Sequence, residues 1–196
     1  MRKYLLSLLF FLASCFKLFA QAPVNDDPCN ATPLTAGSGC NYVTGTTTNA
    51  TASAGVPAPG CANYAGGDVW FSVTVPASGS LLFDSNTGVI TDGGMAIYSG
   101  TCSNLTLISC NDDGSANGLM PSITANGLTP GSTIYVRFWE YGNDNPGSFS
   151  ICVEQLTPCA STSTNASCAS ADPFCTGTSY DYCNTTNVAS LGGGGI

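Results

Sequence analysis

The sequence predicts an all-β protein in which two antiparallel sheets pack against each other. From Asn41 onward, short apolar stretches alternate with polar residues, and Gly, Asn, Asp and Pro separate them. No segment of useful length has helical periodicity, and these features together are typical of a β-sandwich. About eight strands are predicted, at residues 41–47, 68–75, 80–84, 94–99, 105–110, 119–126, 132–140 and 147–154.

Three of these strands alternate clearly between apolar and polar residues. Such a two-residue period places one side of each strand against a core. Trp70 is expected to pack in the core or at its rim. The apolar faces are formed by Val69, Phe71, Val73 and Val75, by Ile134, Val136 and Phe138, and by Phe149, Ile151 and Val153.

The first 22 residues have the pattern of an export signal. Basic Arg2 and Lys3 precede a short apolar run, and small residues at 20–22 form a cleavage site. The apolar run is too short to span a bilayer. A second interpretation is a lipobox ending at Cys15, which would then carry lipid. We rank it second because the residues after Cys15 continue the signal instead of forming a polar tether.

Two further segments follow the signal. Residues 23–156 form the predicted sandwich. After Gln155 the composition changes to Thr, Ser, Ala and Cys, and residues 157–196 are predicted to be a cysteine-rich linker and the start of a truncated second module.

The charge pattern limits the partners and the chemistry. Without the signal, Arg137 is the only basic residue, against twelve Asp and Glu. Such an acidic chain disfavours nucleic acids and anionic membrane surfaces, and divalent cations are its natural counter-ions. The sequence contains no histidine, the usual general base. We therefore expect no catalytic site; a hydrolase using Glu140 and Glu154 is the lesser alternative.

Ten cysteines follow the signal, an even number in an exported chain. They predict a disulfide framework formed in an oxidising, extracellular compartment. No pair has the C-x-x-C spacing that would indicate a zinc site. The spacing leaves the pairing open.

Several motifs in order resemble one known family. They are DDPCN at 26–30, GDVWFSVTV at 67–75, MAIYSGTC at 95–102, LISCNDDG at 107–114, GSTIYVR at 131–137 and GSFSICV at 147–153. This series resembles the bacterial pre-peptidase C-terminal domain family, in the cysteine-bearing form of gliding bacteria that use type IX secretion. The resemblance implies a jelly-roll-like sandwich without activity, appended to exported proteases and adhesins. DPFCTG at 172–177 likewise resembles the start of a module that often follows.

The resemblance also implies a disulfide between Cys102 and Cys110. The hairpin predicted around residues 100–104 makes this pairing difficult, since it separates the two cysteines by most of a strand. The loop would have to fold back over the sheet. Two further pairings are expected. Cys40 with Cys61 would close the long Gly-, Pro- and Ala-rich connection before the Trp70 strand, and Cys29 with Cys152 would tie the start of the domain to its last strand.

A calcium site is predicted beside the same hairpin. Pairing of strands 94–99 and 105–110 places Asp92 beside Asn111 and Asp112, with Asp113 next to them. Oxygen ligands clustered in this way suit Ca²⁺. The competing interpretation, which we rank first, is that these are ordinary turn residues in water.

One strand also predicts a carbohydrate-binding face. Tyr135, Trp139 and Tyr141 lie with Arg137 on the side opposite the apolar residues, and exposed aromatic rings can stack on sugars. Alternatively, loops cover this face, and Arg137 pairs with Glu140 or a loop Asp while stacking on Trp139.

The leading functional expectation is a non-catalytic, secreted or cell-surface module for accessory or adhesive tasks. Its expected partners are other domains of a parent protein, with a polysaccharide or a surface protein as the external ligand. A carbohydrate-binding module is the first alternative.

Overall fold

The computed structural model describes residues 21–156. The predictions for the signal, for Cys15 and for the cysteine-rich tail lie outside these residues. Nine strands make up the domain: β1 Thr32–Pro33, β2 Val43–Thr46, β3 Val69–Thr74, β4 Leu81–Asn86, β5 Gly93–Thr101, β6 Asn104–Asn111, β7 Ser122–Ala125, β8 Thr133–Glu140 and β9 Ser148–Gln155. Short 3-10 turns cover Pro28–Asn30 and Tyr141–Asn143.

The strands form two sheets, which confirms the predicted all-β, two-sheet class. One sheet has the order β1-β3-β8-β5-β6 and the other β2-β9-β4-β7. The short β1 runs parallel to β3, and the other neighbours are antiparallel. All eight predicted strands are present, and β1 is an addition to them. Among residues 21–156, no helix is long and apolar enough to cross a membrane.

The main core lies between the two sheets and contains all three predicted apolar faces. Phe138 stacks on Phe149 with ring centroids 3.7 Å apart, and Phe71 meets Phe149 edge-on at 6.0 Å. Gly45 of β2 faces these rings, and a Cβ atom there would lie 2.6 Å from the Phe149 ring. The edge strand β2 can therefore close over the core only because residue 45 has no side chain.

A second apolar cluster covers the outer face of the five-stranded sheet. It is closed from outside by residues 51–67, which we call the strap. In this cluster, buried side chains of the sheet pack against the strap. Trp70 is among them, as predicted. The cluster includes Trp70, Ala96, Tyr98, Leu105 and Trp139 from the sheet, and Val56, Cys61, Ala62 and Tyr64 from the strap.

Among residues 21–156, three disulfides each join the irregular N-terminal part of the domain to the sandwich. They are Cys29–Cys102, Cys40–Cys152 and Cys61–Cys110, with Cα–Cα distances of 4.8, 5.2 and 6.1 Å.

The three pairings predicted from sequence, Cys102–Cys110, Cys40–Cys61 and Cys29–Cys152, are therefore wrong. Cys102 lies in the tip of the β5–β6 hairpin and Cys110 near the far end of β6, as the hairpin argument against that bond required. The true partners come from a segment with little regular structure, whose path the spacing does not reveal.

The β5–β6 register also differs from the prediction. Thr101 pairs with Asn104, so the turn contains only residues 102 and 103, and Met95 pairs with Asn111. A register shift, typical of a β-bulge, follows Ile97. Asp92 is consequently not opposite Asn111. It forms an isolated bridge with Leu119 instead.

Candidate cation site and the covered aromatic face

Three carboxylates converge at one end of the β5–β6 hairpin. Asp92 directly precedes β5, and Asp112 and Asp113 directly follow β6. One oxygen from each lies within 4.8 Å of the others. The pairing of Met95 with Asn111 brings the ends of the two strands together, so the acidic residues meet despite the changed register.

The carboxylates of this cluster repel one another. Burial raises the pKa of Asp92, and the charges of Asp112, Asp113, Glu140 and Asp144 raise it further. Burial and the charge of Asp113 raise the pKa of Asp112. The Oδ1 atoms of Asp92 and Asp112 are shielded from solvent and accept no hydrogen bond from the described residues. Such oxygen atoms fit a hard divalent cation, which would offset the repulsion.

Asn111, the fourth predicted ligand, has a different role. Its Oδ1 accepts hydrogen bonds from the backbone N–H of Gly114 at 2.8 Å and of Ser122 at 3.0 Å. The side chain thus ties the loop after β6 to the start of β7. Because both bonds use the oxygen that a cation would need, the candidate ligands reduce to Asp92, Asp112 and Asp113.

The predicted carbohydrate face is covered by the strap. Trp139 is 0% exposed, its Nε1 donates to the carbonyl of Ala62 at 2.8 Å, and the Tyr64 ring meets it edge-on. Tyr135 packs half-buried against the same cluster. Tyr141 lies in the turn after β8 and is 39% exposed. The prediction of one open platform of Tyr135, Trp139 and Tyr141 is therefore wrong, and its covered alternative agrees with the structure.

Arg137 is buried under the strap and pairs with Asp68, not with Glu140. Its Nε lies 3.1 Å from Asp68 Oδ2, and its Nη2 donates to Asp68 Oδ1 at 3.1 Å. The guanidinium packs on the ring of Tyr64, 4.1 Å from the centroid, and lies 5.3 Å from that of Trp70. The expected stacking partner Trp139 is replaced by these two rings.

Asp68 is the centre of a hydrogen-bond network that fastens the strap. Ser53 donates to it through its backbone N–H and its hydroxyl, and the Tyr64 hydroxyl and the Trp70 indole also donate. Burial raises the pKa of Asp68, but the hydrogen bonds and the charge of Arg137 outweigh burial, so its pKa lies below the usual value. Asp68 is therefore an ionised, fully partnered carboxylate with a structural role.

The two glutamates do not form a catalytic pair. Glu140 ends β8 in the five-stranded sheet, and Glu154 lies in β9 of the four-stranded sheet. Glu140 accepts a hydrogen bond from the backbone N–H of Asp144 at 2.8 Å. A glycosidase requires two carboxyl groups that face each other across a cleft, and these positions do not supply them.

Sequence reasoning missed a polar trio formed by Tyr42, Asp84 and Asn117. The Tyr42 hydroxyl donates to Asp84 Oδ2 at 2.6 Å. Asn117 Nδ2 donates to the Tyr42 oxygen at 3.1 Å and to the Ser85 carbonyl at 2.9 Å. The three residues come from three separate segments, so no local motif could have indicated them.

The chain has a distant likeness to a domain of known structure. No family model matches the chain, and no curated protein matches it. Among solved structures, the pre-peptidase C-terminal domain of a collagenase from Bacillus anthracis is similar, with a TM-score of 0.41 and 10% sequence identity. The alignment covers 63% of this chain and 94% of that domain.

Proposed function

We propose that residues 23–156 form a non-catalytic accessory or adhesion module of a larger exported bacterial protein, located outside the cell or on its surface. One observation carries the proposal. Each of the three disulfides connects the irregular N-terminal part to a different position in the sandwich, so the domain acquires its final form only where thiols are oxidised.

Two further features support this assignment. The motif series resembles the pre-peptidase C-terminal domains of gliding bacteria, which implies attachment to other domains and export by type IX secretion. In addition, Asp68 has more hydrogen-bond donors than any other carboxylate among residues 21–156. Five donor groups fix it beneath the strap, which suits fold stabilisation and not proton transfer.

We also propose that Ca²⁺ stabilises the module at Asp92, Asp112 and Asp113. The ion would supply positive charge to three carboxylates that have no cationic neighbour among the described residues, since Arg137 is committed to Asp68. Its role would be to hold the loop after β6 against the start of β5.

Expression of the full chain in a bacterial host tests the main proposal. We expect a mature N-terminus at residue 23, the three disulfides among residues 21–156, and no hydrolysis of peptide, ester or glycoside substrates. Peptide mass spectrometry measures the first two and initial-rate assays the third. Reduced cysteines in material recovered from the culture medium, or turnover lost in a Glu140→Gln variant, would contradict the proposal.

A further inference from the structure

The outer face of the four-stranded sheet differs from that of the five-stranded sheet, because no strap covers it. Its outward side chains are exposed or half-buried, except for Cys152 of β9, which is buried in its disulfide with Cys40. Around this disulfide, the neighbouring outward positions carry hydroxyl, amide and carboxylate groups. Thr44 of β2, Ser150 of β9 and Asn86 of β4 form one row across three strands. The strand pattern fixes their direction, since the intervening Phe83, Ser85 and Ile151 are buried.

The polar trio lies beside this row on the same face. Asp84 is two residues before Asn86 in β4 and points to the same side. Tyr42, just before β2, reaches across β9 to place its hydroxyl 2.6 Å from Asp84. Asn117 fixes both partners, with its Nδ2 also 3.3 Å from Asp84 Oδ2. Burial and the hydrogen bond to Asp84 raise the pKa of Tyr42, so the phenol keeps its proton and donates it.

Tyr42 presents its ring to solvent while its hydroxyl is held. Its side chain is anchored at the oxygen, yet the residue remains 40% exposed. An aromatic ring held in this way loses little conformational freedom when a ligand stacks on it. Carboxylate, amide and hydroxyl groups around a fixed ring match the alternating hydroxyl groups and apolar faces of a sugar.

We propose that this face, formed by Tyr42, Thr44, Asp84, Asn86, Asn117 and Ser150, is a binding site for a neutral polysaccharide. A sugar ring stacks on Tyr42, and its hydroxyl groups bond to Asp84 and Asn86.

The charge of the domain selects the class of glycan. Within residues 21–156 the sequence has one basic residue, Arg137, and it is buried against Asp68. The surface of the described domain therefore offers carboxylates without exposed basic side chains. Uronate or sulfate groups would meet repulsion beside Asp84, whereas uncharged polyols would not.

The site gives the proposed accessory module a ligand class, and in that respect it rests on the proposed function. It also replaces the covered face of Trp139 as the location of sugar binding. It shares no residue with the cation site at the end of the β5–β6 hairpin, although Asn117 lies in the same loop after β6 as Asp112 and Asp113.

Affinity electrophoresis of the full chain tests the proposal. The probes are hydroxyethyl cellulose, galactomannan and soluble starch as neutral polymers, and alginate and heparin as anionic ones. We expect at least one neutral polymer to retard the protein and neither anionic polymer to do so.

Tyr42→Ala should raise the Kd for the retarding polymer about tenfold through lost stacking. Tyr141→Ala is the matched control, because Tyr141 is 39% exposed and lies outside the site, and its Kd should not change.

A second variant covers the case in which Tyr42→Ala fails to fold. Asp84→Asn keeps the shape of the side chain and should weaken binding several-fold, whereas Asp144→Asn should not. Retardation by none of the neutral polymers, equal retardation by alginate, or equal effects of the Tyr42 and Tyr141 variants would overturn the proposal. An exported, inactive chain that binds no polymer refutes only the site, whereas hydrolysis of a polymer contradicts the proposed function.

Discussion

Arg137 lies 3.1 Å from Asp68, and both side chains are buried beneath the strap. Removal of either partner leaves the other as an uncompensated charge, which typically costs about 3–5 kcal/mol in the free energy of unfolding. We expect Arg137→Met and Asp68→Asn each to lose stability in this range by urea denaturation.

The double variant is the control for this pair. Because Arg137→Met and Asp68→Asn remove the same interaction, the loss in the combined variant should be well below the sum of the two single losses. Strict additivity would show that the pair is not energetically coupled.

Calcium should raise the melting temperature of the oxidised full chain. Binding to the folded state alone stabilises it in proportion to the logarithm of ligand concentration over Kd. EDTA should reverse the shift. Asp112→Asn removes a like charge, so we expect this variant to melt at a higher temperature than the wild-type chain in EDTA and to respond less to calcium. Calorimetry measures both effects.

Asp27→Asn is the control for the calcium experiment, since it changes charge equally at a residue outside the cluster. It should leave the calcium response intact. A wild-type melting temperature that is the same in calcium and in EDTA would mean that Asp92, Asp112 and Asp113 are turn residues only.

The pH dependence of stability in EDTA should show two opposite contributions. The pKa of Asp68 is lowered in the fold, so its contribution is present above the ordinary Asp value of about 3.9 and is lost as pH falls through the folded pKa. The pKa values of Asp92 and Asp112 are raised, so folding is favoured by their protonation and stability falls as pH rises through their folded pKa values.

Urea unfolding measured from pH 3 to pH 7 separates these contributions. In the Asp112→Asn variant, the fall in stability as pH rises above the ordinary Asp pKa should be smaller than in the wild-type chain. In the Asp68→Asn variant, the fall in stability as pH drops toward 3 should be smaller than in the wild-type chain. An unchanged profile in both variants would refute the assignment of these groups.

The sequence predicted the fold well because the relevant signal is local. The alternation of Val69, Phe71 and Val73 depends only on the two-residue period of a strand, and all three residues are buried in the core. The convergence of Asp92 with Asp112 was also predictable, since both flank a hairpin and a small register error leaves them close together.

The remaining features depend on the path of the irregular N-terminal part. Whether Trp139 is exposed is decided by the strap, which is distant in sequence and has no regular period. The same reason explains the wrong disulfides, because Cys29, Cys40 and Cys61 all lie in that part. The resemblance to a family did not help there, since it indicated a pairing within the hairpin.

Tryptophan fluorescence should report whether the strap is closed. The chain has two tryptophans, Trp70 and Trp139, and the strap keeps both 0% exposed. Replacement of Cys61 and Cys110 by serine removes the covalent link between strap and β6, so local opening becomes easier. We expect emission at longer wavelength and stronger quenching by acrylamide.

The Cys40→Ser, Cys152→Ser variant is the matched control, because it also removes a long-range disulfide but leaves the strap attached. It should lose about 3–5 kcal/mol of stability while its native emission stays unchanged. Equal quenching in the two variants would show that the strap stays closed without the Cys61–Cys110 disulfide.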